Sequence, residues 1–268
     1  MRVQNLAIIT SDPLLLPCVV VEFADVLPFV SAQDAAAVGI GHFESGLPLT
    51  ARYRPPTSMD LGALLRRRTS STALAAAHFG MGPRSRDVDV QPFRFRSWLF
   101  TMAGRVDELR PEQGMDLAIP SYLHKNLRGG TVAELLFHQV LAFLHRQGLL
   151  ASEQLEVEPL RRALKGALTL ESSYRDGPNA DFSVLMTDGR VLLGAAVGRP
   201  VYMRTFSGLS ACGCASDDGR PSGAFHDGVR GVLVLDTDAL PSQEWETVGP
   251  NKLFQVDANL SVESFSLD

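Results

Sequence analysis

The stretch Gln91 to Gly104, QPFRFRSWLFTMAG, constrains this chain more than any other. It reads as a short irregular lead-in followed by a strand, Phe95 to Ala103, that stops at a glycine. Trp98, Phe100 and Met102 recur at a spacing of two and fall on one face, as a buried sheet requires. Leu99 is the apolar exception on the opposite face.

The rest of the chain is long enough to enclose such a strand. It has 268 residues, 45% hydrophobic and 21% charged, with mean hydropathy +0.05, enough for one large core or two small ones. A net charge of -5 and a pI near 5.7 give no overall electrostatic footprint for nucleic acid or an anionic membrane. Three cysteines, Cys18, Cys212 and Cys214, are too few for a disulfide framework, so a reducing cytoplasm is expected. The first residues, MRVQNLAIITSDP, lack the pattern of a signal peptide, and the apolar run Leu14 to Val21 is broken by Pro17 and too short to span a bilayer. With no internal repeat or low-complexity linker, residues 1–268 are expected to form a single domain.

Taken in order, Val3 to Thr10 reads as a buried strand, and residues 14–34, punctuated by Pro17 and Pro28, stay unassigned. Val38 to Phe43 is a second strand whose glycines imply close approach of neighbouring backbone. Leu47 to Tyr53 pairs with it across Glu44-Ser45-Gly46. Ser58 is the expected N-cap of a helix over Met59 to Arg68, and Thr72 to His78 is a further strand. Thr131-Val132-Ala133-Glu134 is a capping box that opens a helix running to about Gln147 and stopped by Gly148. A second helix is expected over Glu153 to Leu168, with Leu160, Leu164 and Leu168 as its stripe. Strands then follow over Asp181–Thr187 and Arg190–Val197, flanking Asp188-Gly189 as a two-residue turn. Val201–Phe206, a loop at 207–228, Val229–Leu235, Lys252–Val256 and Leu260–Phe265 close the chain. Strands, helices, then strands again suggest two packed sheets with helices outside.

Several of these pieces, in this order, resemble the class II glutamine amidotransferases, above all the small stand-alone enzymes and their ergothioneine-pathway relatives. The Pro-Phe leading into Trp98-Leu99-Phe100 resembles the family's central motif, which closes on Asn-Gly. Gly39-Ile40-Gly41-His42-Phe43 is similar to Gly-x-Gly-Trp-Tyr, Thr72 to His78 to the strand leading into His-Val-Arg, and Gly129 to Phe137 to Gly-x-Thr-Asp-Ser-Glu-Leu-Leu-Phe. Trp245 matches a Trp that precedes the final hairpin. The resemblance implies an α+β fold, the four-layer αββα sandwich of two mostly antiparallel sheets flanked by helices found in N-terminal-nucleophile hydrolases.

It also implies a chemistry. In that family an N-terminal cysteine attacks the glutamine carboxamide with its own α-amine as base. An Asn side chain and a Gly N–H stabilise the oxyanion. An Arg holds the substrate carboxylate and an Asp its ammonium. Here the apolar letters match and the chemical letters differ. Arg2 stands at the cysteine's place and, being bulky, is expected to protect Met1 from removal. Gly80 replaces the Arg, Ala103 the Asn, Val132 the Asp and Gln91 a His, leaving Gly104 as the one retained donor. One lost oxyanion donor costs about 3–4 kcal/mol of barrier. Each lost charged anchor costs about 2–5 kcal/mol of affinity. Arg2 must either swing to solvent or pair with a carboxylate, because an unpaired buried guanidinium costs several kcal/mol.

The remaining polar residues have plainer readings. Cys212 and Cys214 with His226 and Asp227 fall below the ligand count of a structural zinc site, so no metal and no cofactor is expected. His138 and His145 share a helix face and read as partly solvated; His42 and His78 read as hydrogen-bonded core histidines. Arg66-Arg67-Arg68 suits a helix C-terminus. The expectation is therefore a catalytically inactive amidotransferase-like protein that binds a protein partner or regulates a pathway, with no nucleic-acid or membrane partner. Its remnant cleft would be formed by Gly80, Gln91, Thr131 and Val132. The rival expectations are an enzyme of altered chemistry, drawing on Ser97, Thr101 or Thr131, or a sensor of an amide or γ-glutamyl-type ligand. That cleft is either open or filled by Met81, Met102 and Arg2.

Overall fold

Strand β1, Arg2–Thr10, sets the layering through its alternation. Leu6 and Ile8 enter one apolar cluster, while Ala7 and Ile9 enter another on the opposite face. Both faces are buried, so β1 is an interior strand. The computed structural model describes residues 2–24, 35–54, 60–82, 85–105, 118–152, 156–173, 181–210, 226–238 and 241–267.

Twelve further strands follow among these residues: β2 (Ala35–Glu44), β3 (Leu47–Tyr53), β4 (Thr72–Phe79), β5 (Phe93–Phe95), β6 (Trp98–Arg105), β7 (Phe182–Thr187), β8 (Leu192–Val197), β9 (Val201–Ser207), β10 (Arg230–Asp236), β11 (Glu246–Val248), β12 (Lys252–Val256) and β13 (Val262–Ser266). All pairings are antiparallel. One layer runs β3-β2-β4-β1-β10-β9-β11 and the other β5-β6-β7-β8-β12-β13. The two are continuous at one place, where Arg2 and Val3 of β1 pair with Arg105 and Gly104 of β6.

The layers meet face to face. A central cluster joins Ala7, Leu74, Met203 and Val234 of the first to Leu99, Leu185, Leu192 and Phe254 of the second. The helices α1 (Leu16–Glu22) and α2 (Leu61–Leu65) lie against the outer face of the first layer through Leu16, Val19, Val20 and Leu65. On the far side α3 (Ser121–His124), α4 (Val132–Arg146) and α5 (Val157–Ser173) cover the second layer. There Phe137 stacks on Phe100 with ring centroids 5.1 Å apart, and Leu160, Leu164 and Leu168 form the expected stripe. The order helix–sheet–sheet–helix is the αββα sandwich. No helix among the described residues is long and apolar enough to cross a membrane.

Local chemistry moved several boundaries. The expected single strand at 95–103 is a hairpin, β5 turning into β6 at Arg96-Ser97, with Arg96 at φ 50°. Leu99 is buried because the sheet is covered on both faces. Gly104 does not end β6, which continues to Arg105. Residues 16–22 form a helix despite Pro17, since proline is tolerated in the first turn, where its missing N–H is not needed. Asp60, whose carboxylate accepts from Ala63 N, caps α2; Ser58 lies outside the described residues. Thr131 caps α4 as expected, but the buried Glu134 accepts from Arg128 N (2.9 Å) and Gly129 N (2.7 Å) of the preceding loop. α5 starts at Val157 and extends to Ser173, later at both ends than the leucine stripe suggests. The β7–β8 connection is four residues long, because Asp188 Oδ1 accepts from both Arg190 N and Val191 N and so wraps the turn.

The β2 glycines are explained by contact. A Cβ on Gly39 would lie 1.6 Å from the carbonyl oxygen of Gln91, and one on Gly41 would lie 2.8 Å from Leu99 Cδ1. Gly39→Ala is therefore expected to destabilise by about 3 kcal/mol, the upper end for overpacking, because backbone must move. Gly82→Ala, where a Cβ meets nothing within 4 Å, should change stability little. Urea denaturation of the two variants checks the contrast.

Candidate functional site

The beginning of β1 is the natural place to look, because both layers converge there. Arg2 is paired in register with Phe79 of β4 and Arg105 of β6, and Val3 with His78 and Gly104. Gly104 has φ 107°, and a Cβ on it would meet the Asp181 carbonyl oxygen at 2.3 Å. Packing alone demands glycine here. The Arg2 guanidinium sits 5.7 Å from the centre of the Phe79 ring and forms an ion pair with Asp238, the two side chains being 46% and 57% exposed. Both expected outcomes for Arg2 thus occur together: it reaches solvent and it finds a carboxylate. A pair this exposed contributes at most about 1 kcal/mol.

Behind this mouth the space between the layers turns polar. Ala103 is fully buried, directly across from Ser183 in register. The Ser183 hydroxyl donates to the Asp236 carboxylate of the facing layer. Asp236 is fully buried and ion-paired with Arg199 at 2.7 Å, and Arg199 also reaches Asp238 at 3.4 Å and Asp181 at 3.6 Å. Burial pushes the Asp236 carboxyl up to about 6, while Arg199 and Ser183 pull it down and Asp238 and Asp181 push it further up. Asn5, opposite Asp236 in β1, is fully buried with no hydrogen-bond partner for either amide atom, and the Thr101 hydroxyl is likewise unpartnered. A continuous polar line, Arg2–Asp238–Arg199–Asp236–Ser183, therefore runs from the surface into the end of the space between the layers. The sequence reading missed this line. Its one signal was an Asp closing an otherwise apolar strand, Val-Leu-Val-Leu-Asp.

The residues singled out from sequence are only partly brought together. Gly80 follows Arg2's neighbour Phe79, is exposed at φ 67°, and has open space where a side chain would project. Gln91 is buried, its side-chain amide donating to Met102 O at 3.0 Å and accepting from Met102 N, so it acts as an extra strand partner for β6. Its own N–H donates to His78 Nε2 at 3.0 Å, across a cis Gln91–Pro92 junction. Thr131 is occupied in capping α4, and Val132 packs in the helix-side cluster with Val3 and Met102. Ser97 lies in the β5–β6 turn at the opposite end of β6.

The histidines divide. His78 and His42 are both buried, but only His78 shows the expected hydrogen bond, while His42 Nδ1 has no partner; burial with nearby Arg54 and Arg52 holds His78 down to about 3. His138, expected on the surface, is buried between α4 and the Phe95 and Phe137 rings, and its Nδ1 lies 2.9 Å from Glu134 O. α4 is covered on several sides by the sheet, α3 and α5, so a residue on its face need not be wet. His145 is exposed against Tyr122. Cys18 is buried in α1, and Cys212 and Cys214 lie outside the described residues. Among the described residues no three His, Cys, Asp or Glu side chains converge as a metal ion would require.

By sequence, no family model and no curated protein matches this chain. By structure, it is similar to a glutamine aminotransferase class-II domain protein from Silicibacter pomeroyi, with TM-score 0.57 and 17% identity over 98% of each chain. A predicted glutamine amidotransferase from Pseudomonas aeruginosa gives 0.52 and 15%, covering 98% of this chain and 99% of that one. Glutamine phosphoribosylpyrophosphate amidotransferase from B. subtilis gives 0.53 and 11%, with 99% of this chain matching 49% of that one. The present chain spans about half the length of that last protein. Identities this low show the fold. The fold is the α+β αββα sandwich of these class II glutamine amidotransferase domains.

Two measurements test the polar line and the core beneath it. Arg199→Met leaves the Asp236 carboxylate buried without its counter-charge and is expected to cost about 3–5 kcal/mol at pH 8. At pH 5 the loss should be smaller, because the carboxyl is then largely protonated in the folded protein. His78 behaves oppositely. Its folded-state value lies below the unfolded 6.5, so the unfolded chain takes up a proton first and stability falls as pH drops from about 6.5 towards 3. His78→Gln keeps an acceptor for Gln91 N–H but cannot titrate. Denaturation between pH 6 and 4 should find the wild type losing up to about 1.4 kcal/mol per pH unit relative to this variant.

Proposed function

We propose that this protein is a non-catalytic member of the amidotransferase fold, kept as a platform that binds a protein partner or regulates a pathway in the cytoplasm, with residues 1–268 acting as one domain. The observation that carries the reading is Arg2 at the β1 position beside Gly104, its guanidinium engaged by Asp238. Amide transfer on this scaffold calls for a nucleophile at that point. An ion-paired guanidinium cannot attack a carbonyl carbon. Ala103 offers a methyl group where an oxyanion donor is needed, a deficit of about 3–4 kcal/mol. Gly80 and Val132 bring no charge to hold an amino acid's carboxylate and ammonium.

Among the described residues no hydroxyl takes over the role: Ser97 lies at the far end of β6. Ser183 and Thr101 are sealed between the layers, and Thr131 is held by its helix. Meanwhile Trp98, Phe100, Met102, Leu136 and Phe137, the apolar positions of the resemblance, all lie in the core. Selective change at polar positions on an intact frame favours a retained binding role over decay.

A second reading, an enzyme or sensor of altered chemistry for an amide or γ-glutamyl-type small molecule, draws support from the open space at Gly80. One pair of assays separates the two. On the first reading, purified protein releases ammonia from glutamine no faster than a heat-denatured control, and neither glutamine nor γ-glutamyl peptides raise its melting temperature. Ammonia release above that control would overturn the first reading. Stabilisation by a γ-glutamyl peptide without turnover would replace it with the sensor.

A further inference from the structure

The opposite end of the sandwich has no role in the reading above, yet its chemistry is the more pointed of the two. A cavity of about 920 Å³ opens there among the β2–β3 turn, the segment after α2, and the β7–β8 turn. β1 separates it from Arg2 by eight residue steps, roughly 27 Å at about 3.4 Å per residue. Its size falls within the roughly 300–1,000 Å³ of small-molecule sites.

Three arginines line it, Arg67, Arg68 and Arg190, in a chain whose net charge is -5. Two carboxylates, Glu44 and Asp188, are also present, but Asp188 Oδ1 is already engaged by Arg190 N at 2.9 Å and Val191 N at 3.0 Å. Among the described residues neither Arg67 nor Arg190 has an ion-pair partner. Arg68 Nη2 is fixed on the Tyr53 hydroxyl at 3.0 Å, which leaves its Nε, buried and without an acceptor, held in place. His42 lines the same cavity, is 5% exposed, and has no partner for Nδ1. Buried donors without partners are rare and costly in a folded protein. Here Arg68 Nε is one such donor, and His42 Nδ1 is a second buried polar atom without a partner, both on residues that line a cavity carrying three arginines and two carboxylates.

The walls are built as well as charged. Ser70 Oγ accepts from Phe43 N at 3.0 Å and donates to Thr72 O at 2.6 Å, and Thr72 Oγ1 donates to Gly189 O at 3.1 Å. These bonds tie the three lining segments together before any ligand arrives, which lowers the ordering cost of binding. Guanidinium forks match the oxygens of phosphate, and Ser71 and Ser97 add hydroxyls at the same surface.

We infer that this cavity is a binding site for a small molecule bearing a phosphate or diphosphate group, at the end of the fold remote from Arg2. The inference is independent of whether the β1 mouth is catalytic. The negative chain as a whole disfavours a nucleic-acid strand, and the site's concavity favours a compact ligand.

Calorimetric titration of the full-length protein with pyrophosphate and with glucose 6-phosphate tests it, against glucose and sodium sulfate at matched ionic strength. Both phosphate compounds should bind, and glucose should not. Arg67→Ala with Arg190→Ala, both exposed and unpaired positions whose melting temperature in buffer should match wild type, is expected to weaken binding by roughly tenfold or more per arginine. Arg2→Ala should leave it unchanged. Glucose 6-phosphate binding more tightly than pyrophosphate would mark a sugar-phosphate site, and the reverse a diphosphate site; either supports the inference. No binding, binding no stronger than sulfate, or affinity unaffected by the double substitution would overturn it.

Discussion

The hydrogen bonding of β1 to both layers is the constraint on which the structure rests. Along its length β1 pairs with β4 and β10, and at Arg2 and Val3 it also pairs with β6. A strand engaged this way cannot slip by one residue without exchanging its two sets of side chains between the two buried clusters they fill. The pairing also draws Phe79, Gly104, Asp181 and Asp238 around one point. Gly104 makes the junction possible: a Cβ would collide with the Asp181–Phe182 backbone of the adjacent strand. A glycine that elsewhere signals an oxyanion hole is thus accounted for here by packing alone.

The space between the layers is apolar at its centre and polar at one end. Ala7, Leu74, Leu185 and Val234 fill the centre; Asn5, Thr101, Ser183 and Asp236 occupy the end beneath Arg2. Burying Asp236 is tolerable because Arg199 and Ser183 reach it, and the residual cost shows as a carboxyl held near 6. His78 on the next strand is held neutral by the same dryness. Acid and base thus respond in opposite senses within one core. The far end of the sandwich differs, with Arg67, Arg68 and Arg190 lining an open cavity and the buried Arg68 Nε without an acceptor.

Likeness to amidotransferase domains at 11–17% identity is intelligible in these terms. What the fold needs is alternation in the strands, a capped α4, glycines where β2 passes close to Gln91 and Leu99, and glycine at position 104. These are demands of packing and backbone, so the shared architecture is silent on chemistry.

Sequence by itself determined the elements with strong local signals: the alternating strands, α4 with Thr131 and Gly148 at its ends, and two packed sheets with helices outside. The four-layer order and the meeting of Arg2 with Gly104 came from the resemblance to the amidotransferases. Tertiary structure decided the rest. Arg96 at positive φ splits the central strand into a hairpin, Asp188 lengthens a turn that its glycine advertised as tight, and Gln91 becomes a backbone partner for Met102. His138 is wet or dry according to what covers α4. The Arg199–Asp236–Ser183 line joins residues from the β8–β9 turn and facing layers, and the arginines of the far cavity are gathered from turns more than a hundred residues apart. Local periodicity reports which face of an element is apolar. Which polar groups meet is set by the closing of the two sheets on each other, and no spacing along the chain encodes it.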